Sequence, residues 1–226
     1  MTRAPALWQC CVTGCLLLLS GLSQASWSSR VEAGVQTDST GGTVVRLHLH
    51  RQDDPVTRNA QLSWNEGSTG DKHRIQYYQR HSISQSFYSF GNISFGREDV
   101  DSIKRSLSVT LGGGNQVFRS RTGSIVIEAG TSANQLTRDR IDDDPNVSFY
   151  LGSRFNRQFS QLQLSLTTKL RLGNRQNILD SEAALSYQTG TDTAIKIAYQ
   201  HKKYNFHDSS DKVSDDKSFL TFIYKF

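Results

Sequence analysis

Alternation of apolar and polar residues with a period of two constrains this chain more than any other feature of its sequence. It is clearest in residues 217–226, where one side of the segment consists of Leu220, Phe222, Tyr224 and Phe226. Successive side chains of a strand point to opposite faces, so this segment is predicted to be a strand with one apolar face. Aromatic residues form girdles at both edges of a membrane β-barrel, and an apolar face that ends on Phe226 fits such a girdle. The pattern also fits an edge strand of a soluble β-sandwich.

The same alternation recurs along most of the chain in segments of about ten residues, separated by clusters of Gly, Asp, Asn and Ser. The prolines leave these segments intact, since Pro55 and Pro145 lie in Asp-rich turns. The pattern predicts an all-β fold, an antiparallel transmembrane β-barrel of about 12 strands, and bacterial single-chain barrels have even strand numbers. The predicted strands are 27–37, 43–52, 58–66, 72–80, 86–97, 104–114, 122–136, 146–157, 161–173, 179–188, 193–204 and 217–226.

The lengths of the connections favour a barrel over a sandwich. In an outer-membrane barrel the periplasmic turns are short and the outer loops are longer. If residues 217–226 end in the periplasm, the short turns are expected at 53–57, 81–85, 158–160 and 189–192. The expected outer loops are mostly longer, at 98–103, 137–145 and 205–216, although 38–42 and 174–178 are short as well.

The N-terminus has the organisation of a secretory signal peptide. Arg3 supplies a positive charge, residues 6–22 are mostly apolar, and Ser23 and Ala25 place small residues before a cleavage site. We therefore expect residues 1–25 to be removed on export and residues 26–226 to form the barrel. A retained membrane anchor is the alternative.

The types of residue present exclude several classes of function. All three cysteines, Cys10, Cys11 and Cys15, lie in the predicted signal peptide, so the mature chain is expected to have no disulfide and no cysteine nucleophile. The 26 basic and 21 acidic residues are dispersed along the chain, which argues against nucleic acid as a partner. A mean hydropathy of −0.51 is too polar for a bundle of membrane helices.

Charged residues opposite the apolar faces are expected to project into the barrel lumen. This set consists of Arg46, His48, Glu128, Arg154, Lys169, Arg171, Glu182 and Lys196. Interleaved acids and bases could pair across the interior and close it, or could leave a charged ring around an open path. The sequence is compatible with both arrangements.

Residues suited to catalysis or metal binding are few. His81, Ser82 and His201 are candidates for an outer-membrane lipid hydrolase, but no Gly-x-Ser-x-Gly elbow is present and no partner acid is evident at a fixed spacing. His48 and His50 share one face of a strand without a third metal ligand nearby, so they are expected to be polar residues of the lumen.

Two short motifs are also interpreted as structural. The Asp142-Asp143-Asp144 run lacks the Gly and Glu spacing of a calcium loop, and a solvated loop is expected there. The Gly112-Gly113-Gly114 run lacks the Lys-Ser/Thr and the helix of a phosphate loop, so the end of a strand is expected. The sequence therefore predicts no cofactor, no metal site and no catalytic residue.

Several motifs of the mature chain resemble the family of salt-induced outer-membrane proteins. The resemblance rests on SFGNISFGRED (89–99), SLSVTLGGGNQVF (106–118), IVIEAGTS (125–132), DSEAALSYQTG (180–190), IKIAYQHKKYN (195–205) and FLTFIYKF (219–226). It implies a β-barrel in the outer membrane of a Gram-negative bacterium. It implies little about a substrate, because that family has no assigned biochemical function.

Together these features predict a non-enzymatic outer-membrane β-barrel that is either a narrow channel or an envelope-stabilising, stress-related protein. Its expected partners are outer-membrane lipid and lipopolysaccharide, the barrel-assembly machinery and a small solute or ion. An outer-membrane lipid hydrolase or deacylase is one alternative. A soluble periplasmic barrel that binds an apolar ligand is another.

Deletion of Phe226 is expected to impair membrane assembly and leave the chain in the periplasm. The physical reason is that the deletion removes the aromatic end of the apolar face formed by residues 217–226. Cell fractionation combined with heat-modifiable migration on gels measures the outcome, with Lys225→Gln as a control on the other face. Normal insertion of the deletion variant would contradict the membrane-signal interpretation of this segment.

Overall fold

A computed structural model describes residues 27–37, 41–67, 70–100, 103–138, 141–142, 145–207 and 212–226. The predicted signal peptide, residues 1–25, lies outside this part and stays a prediction. Among the described residues there is no helix with the length and apolar character needed to cross a membrane.

The described chain is built from β-strands joined by short connections. In chain order the strands are β1 Trp27–Thr37, β2 Gly42–Asp53, β3 Val56–Gly67, β4 Gly70–Ser82, β5 Phe87–Val100, β6 Ile103–Ser120, β7 Gly123–Arg138, β8 Ile141–Asp142, β9 Asn146–Phe159, β10 Leu162–Gly173, β11 Gln176–Gln188, β12 Thr193–Phe206 and β13 Lys212–Lys225. The two-residue β8 pairs only with the end of β7, so twelve strands of the described chain form the barrel wall.

The wall closes where the first strand meets the last. β1 pairs antiparallel with β13 from Arg30↔Lys225 to Thr37↔Ser218, and every other wall strand pairs with its neighbours along the chain. The pairing of β6 with β7 joins the two halves of the sheet. The result is a closed antiparallel all-β barrel, as the sequence predicted, and the described wall leaves no strand edge without a partner.

All twelve predicted strands are confirmed, most of them with ends within a few residues of the prediction. The clearest difference is β6, for which the sequence predicted an end at Gly114. In the structure β6 runs through the glycines to Ser120, with a register shift between Gln116 and Phe118, and a tight turn leads to Gly123. The prediction that the glycine run ends a strand was wrong, because these glycines make room for aromatic rings inside the barrel.

The apolar faces of the strands point away from the barrel axis. Phe222 is 50% exposed although it lies in the middle of the paired β13, because its ring projects from the outer wall. Most wall strands contribute exposed apolar side chains of this kind, among them Trp64, Ile93, Leu111, Phe149, Leu166 and Ile197. The outer surface is therefore a continuous apolar band.

The interior is more apolar than the alternation rule predicts. One inward cluster contains Val44, Ala184, Ala198 and Phe219, and a second contains Leu136, Ile178, Tyr204, Phe206 and Val213. A third is aromatic and is formed by Tyr88, Phe90, Val126 and Tyr150. Small barrels fill much of their interior with side chains, and these clusters do so around a polar centre.

Five short turns lie at one end of the barrel, and the connection at 174–175 at the other end is equally short. The five turns, at 54–55, 83–86, 121–122, 160–161 and 189–192, share their end with Phe226. The backbone amide of Phe226 donates to the carbonyl of Ser29 at 2.9 Å, and that of Lys225 donates to the carbonyl of Asp192 at 2.9 Å. The four predicted short turns therefore meet at the end where β1 begins and β13 ends.

Substitution of Gly112 by Ala is expected to destabilise the barrel by about 1–3 kcal/mol, the usual cost of forcing extra volume into a packed interior. A methyl group there would overlap the backbone of Ala129 and Gly130 and the ring of Phe90. Gly113→Ala is the matched control, because its methyl group would meet only the carbonyl oxygen of Tyr88, at 3.7 Å. Urea unfolding of the two variants measures the difference, and equal stabilities would contradict the packing argument.

Candidate functional site

A polar cavity of about 880 Å³ occupies the barrel interior. The inward side chains of neighbouring strands line it because every second residue of each strand faces the axis. The structure places all eight residues of the predicted lumen-facing set in this lining: Arg46, His48, Glu128, Arg154, Lys169, Arg171, Glu182 and Lys196. A second cavity of about 530 Å³ adjoins the first and shares His50, Asn156 and Gln163 with it.

The lining of the larger cavity is strongly basic. It contains twelve Lys and Arg side chains and four Asp and Glu side chains, an excess of eight positive charges. The entire chain has an excess of only five, so the rest of the chain carries more acidic than basic residues. The fold therefore concentrates positive charge inside the barrel.

One buried carboxylate holds several of these cations together. Glu32 is 0% exposed, and its Oε1 accepts hydrogen bonds from Arg46 at 3.1 Å and from Thr221 at 2.9 Å. The Lys196 ammonium lies 3.4 Å from the same oxygen, and the Nε2 of His48 lies 3.6 Å from Oε2. A carboxylate without water requires such partners, because an unpaired buried charge is very costly.

Further along the lumen, acids and bases alternate across the strands. Lys169 on β10 is opposite Asp180 on β11, Asp180 is opposite Lys202 on β12, and Lys202 is opposite Asp215 on β13. Asp180 also accepts a hydrogen bond from the Gln200 amide at 3.1 Å. Opposite charges on directly paired residues stabilise a sheet, so this row braces the wall from inside.

Glu128 is bound by tyrosines and forms no ion pair with the described residues. Its Oε1 accepts from the hydroxyls of Tyr78 and Tyr88, both at 2.9 Å, and its Oε2 accepts from the hydroxyl of Tyr150 at 3.1 Å. Gly152 makes this possible, because a side chain there would collide with the Tyr150 hydroxyl. The three donors satisfy the carboxylate oxygens, so Glu128 bonds to neutral groups and not to the neighbouring cations.

The histidines highlighted by the sequence have separate partners. His48 faces Glu32, whereas the Nδ1 of His50 is 2.7 Å from the Oδ1 of Asn59. His81 pairs with Val56 and Ser89 near the short-turn end of the barrel. The described part of the chain contains no group of three His, Cys, Asp or Glu side chains able to hold a metal.

His201 has an acidic partner that the sequence analysis did not find. Its Nδ1 lies 2.7 Å from the Oδ1 of Asp216, which also accepts from the Tyr199 hydroxyl at 2.6 Å. The two residues are direct neighbours across β12 and β13, a relation that spacing along the sequence does not show. Ser181 is opposite His201 on β11, but its hydroxyl contacts Thr168 at 3.5 Å.

The predicted assembly signal lies on the outside of the wall. Leu220, Phe222, Tyr224 and Phe226 are between 43% and 58% exposed and belong to the apolar outer surface. Tyr224 and Phe226 are in edge-to-face contact, with ring centroids 4.7 Å apart. The side chains of the predicted Asp142-Asp143-Asp144 loop are outside the described part.

Sequence reasoning missed several residues of the lumen, including Glu32, Arg74, Lys202, Asp215 and Lys217. Glu32 could have been found, because Arg30, Glu32 and Gln36 alternate with Val31, Ala33 and Val35 in the same period-two pattern. The inward tyrosines could not have been identified from the sequence, because aromatic residues occur on both faces of these strands and therefore do not indicate which face points inward.

Comparison with known proteins places the chain in one family and one group of folds. A family model described as "Protein of unknown function, DUF481" matches residues 25–226. No curated protein matches the sequence.

Solved porin structures have a similar fold. The NanC porin is similar with a TM-score of 0.58 at 10% identity, covering 87% of this chain and 98% of that chain. The KdgM porin is similar with a TM-score of 0.52 at 10% identity, covering 87% of this chain and 99% of that chain. A structure titled "KdgM porin in complex with disordered oligogalacturonate" is similar with a TM-score of 0.53 at 10% identity, covering 88% of this chain and 99% of that chain.

Removal of one tyrosine hydroxyl from Glu128 is expected to destabilise the barrel. Tyr150→Phe should lower the free energy of unfolding by about 2 kcal/mol, because a buried hydrogen bond to a charged group is lost. Tyr187→Phe is the matched control, since its hydroxyl bonds to Gln161 on the exposed outer surface. Urea titration of the folded barrel checks the difference, and an equal loss in both variants would argue against the role of Glu128.

Proposed function

The chain belongs to the DUF481 family of proteins of unknown function, and we propose that it is an outer-membrane β-barrel channel for small anionic solutes. The excess of eight positive charges in the cavity lining carries this proposal. In this proposal the channel catalyses no reaction, and the residues of its lumen select the anionic solutes that pass through it.

The outer-membrane location is supported by the surface of the barrel. Hydrocarbon offers no hydrogen-bond partners to the backbone, so a sheet can cross a bilayer only when its edges are joined, as β1 and β13 are here. The exposed apolar side chains of the wall then contact lipid instead of water. In water the same band would be a large exposed apolar surface, which monomeric soluble proteins rarely have.

Anion preference is supported by the distribution of charge. A lumen with low-dielectric walls and a net positive lining concentrates anions and repels cations. A solved structure of similar fold is titled as a KdgM porin in complex with disordered oligogalacturonate, and oligogalacturonate is a chain of carboxylate-bearing sugars. By analogy, we include short acidic oligosaccharides and small organic acids among the solutes of this chain.

Other parts of the proposal follow from the sequence. Residues 1–25 direct export, the closing strand is recognised by the barrel-assembly machinery, and the outer ends of the strands contact lipopolysaccharide. An envelope-stabilising role in salt stress is the competing proposal, in which the ion pairs around Glu32 keep the lumen closed.

Purified protein in a planar bilayer is expected to show discrete conductance steps. In a KCl gradient, its reversal potential is expected to have the sign of a channel that prefers anions. Arg30 lines the cavity, so Arg30→Glu should shift the reversal potential toward cation selectivity. Lys203→Glu changes the charge equally on the outward side of β12 and is expected to leave selectivity unchanged.

Two results would contradict the channel proposal. Cation selectivity of the unmodified protein would disprove the anion preference. Absence of conductance steps from a correctly folded, heat-modifiable barrel would favour the envelope-stabilising role.

A further inference from the structure

Within the lumen we infer that Arg154, Lys169 and Arg171 form a binding site for solutes with two or more oxyanion groups close together. This inference rests on the proposed function, because it names the solute class and the residues that select it. The three residues are called the oxyanion site below.

The register of two strands brings the oxyanion site together. Lys169 on β10 is directly opposite Gly152 on β9, and Arg171 is opposite Tyr150. Arg154 is two residues beyond Gly152 on the same face of β9, so it is the diagonal neighbour of Lys169. Residues two apart on a strand are separated by about 7 Å, so Arg154 and Arg171 lie on either side of Lys169 and about 13 Å apart along the strands. Their long side chains allow both guanidinium groups to approach one polyanion bound at Lys169.

Gly152 lies at the centre of the site, directly opposite Lys169. The space beside it is occupied by the Tyr150 hydroxyl and the Glu128 carboxylate, both of which a methyl group at this position would meet. All three cations of the site line the large cavity, so a solute in the lumen has access to them.

Arg154 and Arg171 have no direct anionic partner in the described part of the chain, and Lys169 has one acid opposite it on β11, Asp180. Arg154, Lys169 and Arg171 make no ion pair or side-chain hydrogen bond with another described residue, and the Nε of Arg171 is buried without a partner. Lys169 is within electrostatic range of Arg154, Arg171 and Arg74 and of a single carboxylate, that of Asp180. Like charges at this density favour a bound anion.

The nearby acids are engaged elsewhere. Glu128 is occupied by the hydroxyls of Tyr78, Tyr88 and Tyr150. Glu182 lies 3.1 Å from the Lys196 ammonium, and Asp215 forms an ion pair with Lys217. Asp180 is the remaining acid, and it is within range of Lys169, Lys202 and Arg74 at once. The positive charge of the site therefore exceeds the acids available to neutralise it.

The chemistry of the side chains selects the ligand class. Two guanidinium groups offer planar pairs of N–H donors that match carboxylate and phosphate oxygens, and the ammonium adds a third charge. A monovalent anion satisfies one of these groups, whereas a polyvalent one bridges them. The site therefore prefers polyvalent over monovalent anions.

Equilibrium binding to the full barrel in detergent micelles tests the inference without requiring transport. Pyrophosphate and citrate are titrated separately by calorimetry, which distinguishes a phosphate ligand from a carboxylate ligand. Both are expected to bind more tightly than acetate. Arg154→Gln and Arg171→Gln should each weaken binding about tenfold, the effect of one lost charge-assisted hydrogen bond. Heat-modifiable migration verifies that each variant is folded.

Arg30→Gln is the matched control, because it removes one guanidinium from the lining on β1, next to His48 and away from the oxyanion site. Its effect on pyrophosphate binding is expected to be less than about twofold, as a distant charge acts only through a screened field. Equal weakening by Arg30→Gln, or no binding of either polyanion to the unmodified barrel, would overturn the site. If the barrel conducts ions but binds neither polyanion, the oxyanion site is refuted and the channel proposal stands. If it binds a polyanion but shows no conductance, the oxyanion site is supported and the channel proposal is refuted.

Discussion

Backbone hydrogen bonding around a closed circuit is the constraint on which this structure depends. Each wall strand satisfies its donors and acceptors only through its two neighbours, so the circuit is complete only when β1 pairs with β13. Closure fixes the direction of every side chain, because alternate residues must face the axis or the outside. The apolar outer surface and the charged lumen are both consequences of this one geometry.

The interior combines two ways of filling a barrel of this size. Aromatic and aliphatic clusters occupy parts of it, and inward glycines such as Gly112 and Gly114 admit the rings of Phe90 and Tyr88. The remaining space is polar, and its buried carboxylates have partners, cations for Glu32 and tyrosine hydroxyls for Glu128. Buried charges demand such partners, which gives the lumen walls a fixed arrangement.

Charge segregation connects the fold to the proposed function. Dispersed basic residues of the sequence converge because strands distant along the chain face one lumen, whereas many acidic residues lie elsewhere. The tyrosines contribute to this imbalance, since they stabilise Glu128 without adding an acid–base pair. Because Glu128 bonds to neutral donors, the guanidinium N–H groups of Arg154 stay available to a solute.

The sequence by itself determined the all-β class and about twelve strands, each with one apolar face, because a period of two is a local property that survives any tertiary arrangement. The direction of the apolar faces, toward the outside of the barrel, was decided by the tertiary structure. The sequence also identified eight residues that line the cavity. Only the tertiary structure decided the partners of those residues: Asp216 for His201, the tyrosines for Glu128, and Gly152 opposite Lys169. Such contacts depend on strand register and on closure, which join residues far apart in the chain, and no local pattern encodes them.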